Sequence, residues 1–255
     1  MSGAGGSRRP EDDEAAVVAA TRPGTAPLVP EVRLRLLDEG PDDGQDGGQD
    51  GGRDRLYRLW ERDGDLPYWA VPWPGGQLLA RLVLDRPALV AGRSVLDVGS
   101  GGGLVAVAAA LAGAAAVRGA DVDPRARAAT RLAARANGVE VATTGEDLLD
   151  GSGAPADVVL VGDLLYDARV APRVVAFAER AAARGALVLV GDPERSHRRP
   201  RTPGGPPPEA DPRLWAPVLT RAVPAPAGVE GAPAVSVTVW ELARGGGGPR
   251  RQERS

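Results

Sequence analysis

Residues 95–103 read VLDVGSGGG, an apolar run that passes straight into a glycine loop and then into LVAVAAA. The spacing is acid-x-Gly-x-Gly-x-Gly, formed by Asp97, Gly99, Gly101 and Gly103, with Ser100 inside the loop. Glycines remove the Cβ atoms that keep a ligand off the backbone, and they permit positive φ in the turn. The helix predicted to follow aims its free N–H groups at the same spot. A strand, a glycine loop and a helix in this order predict a nucleotide-like ligand.

Outward from the loop, strand and helix signals alternate. Strand 94–98 leads to helix 103–112, which stops at Gly113. Strand 115–120 leads to helix 124–136, with Asp123 as its N-cap and Pro124 as its first residue. Strand 139–143 follows the Asn137-Gly138 stop. The VVL-rich strand 157–162 runs through DLLYD to a helix at 170–184 closed by Gly185, and ALVLVG at 186–191 forms the next strand. Residues 214–223 read as a short helix and strand. The strict alternation of AVSVTVWE, 234–241, reads as a half-exposed antiparallel strand at the sheet's end. Such β-α-β-α alternation with continuous Val/Leu strands predicts an α/β fold around a doubly wound, mostly parallel sheet. Upstream, 28–38 (LVPEVRLRLLD) is a further short strand, and from Gly76 a helix carries Leu78, Leu79, Leu82 and Val83 on one face. One domain spanning 28–242 is expected, between disordered tails at 1–27 and 243–255. It contains an acidic Gly-rich insertion at 39–54, apolar residues that resume at 55–62, and a Pro/Arg-rich loop at 194–213.

Composition narrows the chemistry. The 255 residues include 35 Gly and 24 Pro, many of them outside the patterned regions, which leaves a folded part of roughly 190 residues. The net charge of −3 provides no footprint for nucleic acid. With no Cys there are no disulfides, thiol nucleophiles or thiolate metal sites, and with one His, His197 in an Arg/Pro-rich loop, there is no His-based metal cluster. No metal site is expected. No apolar run reaches the roughly 18 residues of a membrane span, and the N-terminal acids argue against a transit peptide. A soluble cytoplasmic protein is the expectation.

Two ligands compete for the loop. A nicotinamide dinucleotide wants Gly-x-Gly-x-x-Gly/Ala, but counting from Gly99 puts Leu104 at the sixth position, where its side chain blocks close helix–strand approach. The loop instead resembles that of S-adenosylmethionine-dependent methyltransferases; a tight turn with no ligand is the bland alternative. An acid closing the second strand should accept from both ribose hydroxyls; Asp121 fits, since Asp123 is spent as a cap. Glu146 and Asp147 lie where an adenine amine would be met, with the backbone N–H of Leu148 in reach of the ring. In GDLLYD, 162–167, Asp163 and Tyr166 border the place where a methyl group would be presented, while Asp167 could cap the next helix. Trp69, Trp73 and Gln77 in PYWAVPWPGGQ could bracket a cation, or the two Trp rings could belong to the core.

PYWAVPWPGGQLLA, SVLDVGSGGG, GADVDP, GDLLYD and LVGDP occur in this order. Together they resemble the electron transfer flavoprotein beta-subunit lysine methyltransferases, seven-β-strand enzymes whose bacterial relatives are often labelled nicotinamide N-methylases or ribosomal protein methyltransferases. The resemblance implies a seven-stranded Rossmann-like fold, S-adenosyl-L-methionine as cofactor and a lysine-bearing protein substrate, with the enzyme working as a monomer. It implies that Asp97, Gly99 and Gly101 hold the methionine end, Asp121 the ribose, and residues near Asp147 the adenine. Trp73 and Gln77 would lie over the cofactor, and Asp163 and Tyr166 would form the catalytic motif. The chain departs from the family in the insertion at 39–54, in Glu194 after Gly191-Asp192-Pro193, and in the Arg/Pro-rich loop. These departures bear on the protein substrate and not on the cofactor. The alternatives are methylation of a small nicotinamide-like amine and a cofactor-binding scaffold without catalysis, against which the intact Asp163-x-x-Tyr166-Asp167 element argues.

Overall fold

The computed structural model describes residues 9–37, 67–151, 156–193, 205–225 and 232–244. The first eight residues, the acidic insertion, the apolar return at 55–62, His197 with the loop at 194–204, and the residues beyond 244 lie outside them. Strands β1 (Thr21–Ala26) and β2 (Val29–Leu37) form an antiparallel hairpin. A seven-stranded sheet is built from β3 (Ser94–Val98), β4 (Ala116–Ala120), β5 (Ala142–Thr144), β6 (Val158–Gly162), β7 (Leu187–Pro193), β8 (Trp215–Pro224) and β9 (Ala234–Leu242). Its order is β5-β4-β3-β6-β7-β9-β8; the first five strands are parallel, and β9 and β8 are antiparallel to their neighbours. The chain winds outward from β3 to β5, then returns to lay β6 beside β3. The crevice of such a sheet opens where the winding reverses, at the C-terminal ends of β3 and β6.

Side-chain alternation divides the core into two layers. Val95, Val158, Leu160, Leu187 and Leu189 face helices α2 (Pro74–Asp85) and α3 (Leu104–Leu111). Leu96, Val98, Val159, Val161, Val188 and Val190 face the opposite side, covered by α5 (Ala171–Ala183). Helix α4 (Pro124–Ala136) follows β4, and the Asp123 carboxylate accepts from the Arg125 N–H at 2.7 Å as its N-cap. Burial on both faces is why β3, β6 and β7 read as unbroken apolar runs.

Four expectations are corrected. Residues 10–26 are not a disordered tail: α1 (Pro10–Ala20) leads into β1. Pro10 opens the helix, Asp12 accepts from the Arg9 N–H at 3.2 Å, Val17 is fully buried, and Glu14 pairs with Arg131 and Arg135 on α4. These ion pairs join residues far apart in sequence, so no local pattern reveals them. Residues 214–223 form no helix: a turn at 212–214 leads into one long strand, β8. Because β8 takes the sheet edge, β9 is interior, and Val237–Trp240 are all buried rather than alternately exposed. The third strand of the parallel half also starts later than expected, at Ala142.

The ends of β6 and β7 touch the start of α2 through glycines. A Cβ on Gly75 would overlap the Gly191 carbonyl and the Asp163 carboxylate, and one on Gly162 would stand 2.9 Å from the Gly76 Cα. A Cβ on Gly76 itself meets only Val105, at 3.8 Å. Gly75→Ala is therefore expected to destabilise the protein by about 2–3 kcal/mol through overpacking. The neighbouring Gly76→Ala should change stability by no more than about 1 kcal/mol, toward greater helix propensity. Urea unfolding of both variants tests the contrast.

Candidate active site

Gly99, Gly101 and Gly103 all adopt positive φ, at 68°, 50° and 87°. Each has a separate reason to lack a side chain. At Gly99 a Cβ would collide with Leu164, and at Gly103 it would stand 2.9 Å from the Thr130 Cα on α4. Gly103 thus takes the close helix contact that Leu104 cannot. At Gly101 the nearest atom beyond the loop is the Trp69 Cα at 3.7 Å, so that backbone lies open to the crevice. Ser100 turns its hydroxyl behind the loop, 3.4 Å from the Thr130 hydroxyl.

Two acids brace this loop, Asp97 buried and Asp121 partly buried. Asp97 is 1% exposed, and its Oδ2 accepts from the Ala106 N–H of α3 at 3.0 Å. Burial pushes its carboxyl up to about 8; the Ala106 hydrogen bond opposes the shift and the nearby Asp121 adds to it. Asp121 closes β4: its Oδ2 accepts from the Gly101 N–H at 2.9 Å, and its Oδ1 from the Asp123 N–H at 3.0 Å. Burial raises its pKa also, against these two backbone donors. Arg127 binds the carbonyls of Asp121 and Val122 at 2.8 and 3.0 Å, fixing the strand end.

A cavity of about 540 Å³ opens over the loop, within the size range of cofactor pockets. It brings together Trp73, Gly99, Gly101, Asp121, Asp147, Leu148, Asp163 and Tyr166. A smaller hollow of about 60 Å³ shares its Trp73–Gly99–Asp163 wall and reaches Asp97, Ser100 and β2. Asp147 accepts from Arg173 at 2.9 Å and from the Leu149 N–H at 3.2 Å. Tyr68, Val122 and Arg173 also line the cavity and were not singled out in the sequence. Tyr68 was detectable only as a third aromatic beside Trp69; its ring lies 5.9 Å from both Trp73 and Tyr166, making one row of three. The Trp73 indole N–H donates to the Tyr68 carbonyl at 2.8 Å.

Other expected residues are used differently. Gln77 does not reach the cavity: it is 1% exposed, accepts from the Leu28 N–H at 3.2 Å and donates to the Pro72 carbonyl at 2.7 Å. A buried amide must satisfy both ends, and here backbone does so. Trp69 is 6% exposed and packs with Val17, Ala126 and Ala129, so it serves mainly as core. Asp163 sits at the cavity in the left-handed region, φ 56°, and its Oδ2 accepts from the Gly76 N–H at 2.9 Å. Its carboxylate thereby caps α2, whose own N-cap residue, Trp73, has no acceptor side chain. Asp167 binds the Arg169 N–H at 2.7 Å in the turn before α5 and does not cap the helix, whose N-cap, Val170, has no side-chain hydrogen bond.

A doubly wound sheet, an open Gly101 backbone flanked by Asp97 and Asp121 and an adjoining cavity define a class I methyltransferase fold. The family model "Ribosomal protein L11 methyltransferase (PrmA)" matches residues 81–183. The electron transfer flavoprotein beta subunit lysine methyltransferase of Xenopus laevis is 37% identical over 71% of this chain and 70% of its own. Its Homo sapiens counterpart is 36% identical over 66% of this chain and 61% of its own. A ribosomal protein L11 methyltransferase of Syntrophotalea carbinolica is 46% identical over 38% of this chain and 31% of its own. The chain is an S-adenosylmethionine-dependent methyltransferase. It belongs to the electron transfer flavoprotein beta subunit lysine methyltransferase family.

Asp97 predicts a pH dependence of stability. Its folded pKa, about 8, stands above the ordinary 3.8, so it favours the folded state fully below 3.8 and loses that advantage as pH rises to about 8. Asp97→Asn, which cannot ionise, should flatten the fall of the urea midpoint across this window. A midpoint that falls equally in both proteins would show that Asp97 is already ionised in the fold.

Proposed function

We propose that this chain methylates the ε-amine of lysine in a protein substrate, either the electron transfer flavoprotein beta subunit or a ribosomal protein. The observation that carries the reading is the meeting, in one cavity, of the Gly101 cradle with Asp163 and the Tyr68–Trp73–Tyr166 row. The names of the relatives supply the substrate class. The reading extends to a cytoplasmic monomer that uses no nucleic acid and no membrane; no helix among the described residues is long and apolar enough to cross one.

In this reading the chain's own groups divide the work of holding and orienting. Asp97 receives the ammonium of the cofactor's amino-acid end, and the backbone at Gly99–Gly103 lies along it. Asp121 keeps a lone pair on each oxygen beyond its two backbone bonds, enough to accept from ribose hydroxyls. Asp147 and the Leu148 N–H meet the adenine edge, and Val122 gives it an apolar wall. Bound S-adenosylmethionine supplies an electrophilic methyl on a sulfonium, so no metal is required. The residues' contribution is alignment.

Lysine must be neutral to attack. From a reference pKa of about 10.4, neutralisation at pH 7 costs about 4–5 kcal/mol. Burial between Tyr68, Trp73 and Tyr166 lowers that cost by disfavouring the ammonium. A carboxylate acts in the opposite direction, and the Gly76 N–H on Asp163 Oδ2 tempers its charge. Asp163 therefore draws in and orients the ammonium, which gives its proton to water, while Tyr166 walls the amine.

The test is mass spectrometry of the host's flavoprotein beta subunit and ribosomal protein L11 with and without the enzyme. Methylated lysines that depend on the enzyme support the reading; label confined to small amines, or no turnover despite cofactor binding, overturns it. Asp163→Asn should keep cofactor affinity and slow transfer by about 100-fold, the cost of a displaced acceptor. Cofactor affinity should rise as pH climbs toward about 8, with a proton released on binding, because Asp97 must ionise to meet the ammonium. Calorimetry in two buffers reads that proton, and Asp97→Asn should abolish it.

A further inference from the structure

Arg173 lines the cavity, and the proposed reaction gives it no task. It is the third residue of α5, in a first turn that holds no acid. A cation there is disfavoured by the helix dipole, so the helix itself gives no reason for an arginine. The reason lies across the cavity, in the loop after β5. The Arg173 Nε and Nη2 bind the two oxygens of Asp150 at 2.9 and 2.6 Å, and Nη2 also binds Asp147 at 2.9 Å. One planar guanidinium thus bridges two carboxylates that would otherwise repel each other, which the point charge of a lysine does poorly.

The loop has little other support. It leaves β5, a strand of three residues at the sheet edge, paired on one side only. Two turns further along α5, Arg180 donates to the Leu149 carbonyl, and Leu149 is 9% exposed against the α5 layer of the core. Leu148 stands between the anchored Asp147 and Leu149, and both Asp147 and Leu148 are on the cavity wall. The same helix begins directly after the segment that carries Asp163 and Tyr166.

We propose that Arg173 is a positioning residue for the adenosyl end of the cofactor: by clamping Asp147 and Asp150 to α5 it holds Leu148 and Asp147 at the geometry that accepts a purine. This rests on the reading above that the 146–149 loop meets adenine. Affinity for the adenosyl group therefore depends on the clamp, while the transfer step does not.

The experiment measures dissociation constants for S-adenosylmethionine and for adenosine, with kcat at saturating cofactor and melting temperature alongside. Arg173→Ala should weaken both ligands by about tenfold, the loss of a charge-assisted pair, with kcat and melting temperature held. Arg173→Lys should restore part of the affinity. Asp150→Asn, which removes one exposed partner and leaves Arg173 in place, should weaken both ligands by a smaller factor and be non-additive with Arg173→Ala. Adenosine binding unchanged in Arg173→Ala, or affinity lost only in step with melting temperature, overturns the proposal. Leu148→Asp tests the underlying reading separately. If it leaves adenosine binding intact, the loop is not the adenine site. If it weakens binding while Arg173→Ala does not, only the role of Arg173 falls.

Discussion

A close contact between backbones organises the site: the first turn of α2 lies on the ends of β6 and β7 with no room for a Cβ at Gly75, Gly162 or Gly191. Asp163 closes this contact by capping Gly76 while its own N–H donates to the Gly191 carbonyl at 3.0 Å. Much of the site follows from it. Trp73 is the residue before α2, so its ring stands at the cavity because the helix start is held there. The strained φ of Asp163 is tolerable for a short polar residue held from both sides. One residue thereby joins the sheet, the helix and the acceptor wall, and the WPGG sequence is explained by packing before any ligand is considered.

The second constraint is electrostatic. Asp97 is buried and Asp121 partly buried beside the glycine loop, and backbone N–H groups brace both. Such a pair is costly to ionise in the free protein, and the cost falls when a cation or hydroxyl donors arrive. The opposite treatment is seen on the loop after β5, where the exposed Asp147 and Asp150 are paired with Arg173.

Legibility varied with burial. Strands β3, β6 and β7 are readable because Val and Leu dominate them and they are covered on both faces. Strand β8, with its mostly exposed edge, presents no periodicity and was mistaken in part for a helix. Helix α1 buries little beyond Val17 and Asp13, and ion pairs to α4 hold it, so its sequence looks like a tail. Asp121, Asp163 and Tyr166 line the cavity because strand ends face the crevice of a doubly wound sheet. Gln77, which the resemblance places over the cofactor, instead ties the hairpin turn at Leu28 to Pro72 through its amide.

The sequence by itself determined the alternation of strands and helices, the glycine loop with its acids, and the family to which these belong. Those features are local: apolar runs, glycine spacing and caps act over a few residues. The tertiary structure alone decided which side chains remain for the cofactor and substrate. It spent Gln77 on the core, set Trp69 between core and cavity, brought Tyr68 into line with Trp73 and Tyr166, and set Arg173 across from Asp147 and Asp150. Hydrogen-bond satisfaction and charge pairing are settled between groups distant in the chain, and sequence spacing carries no record of those distances.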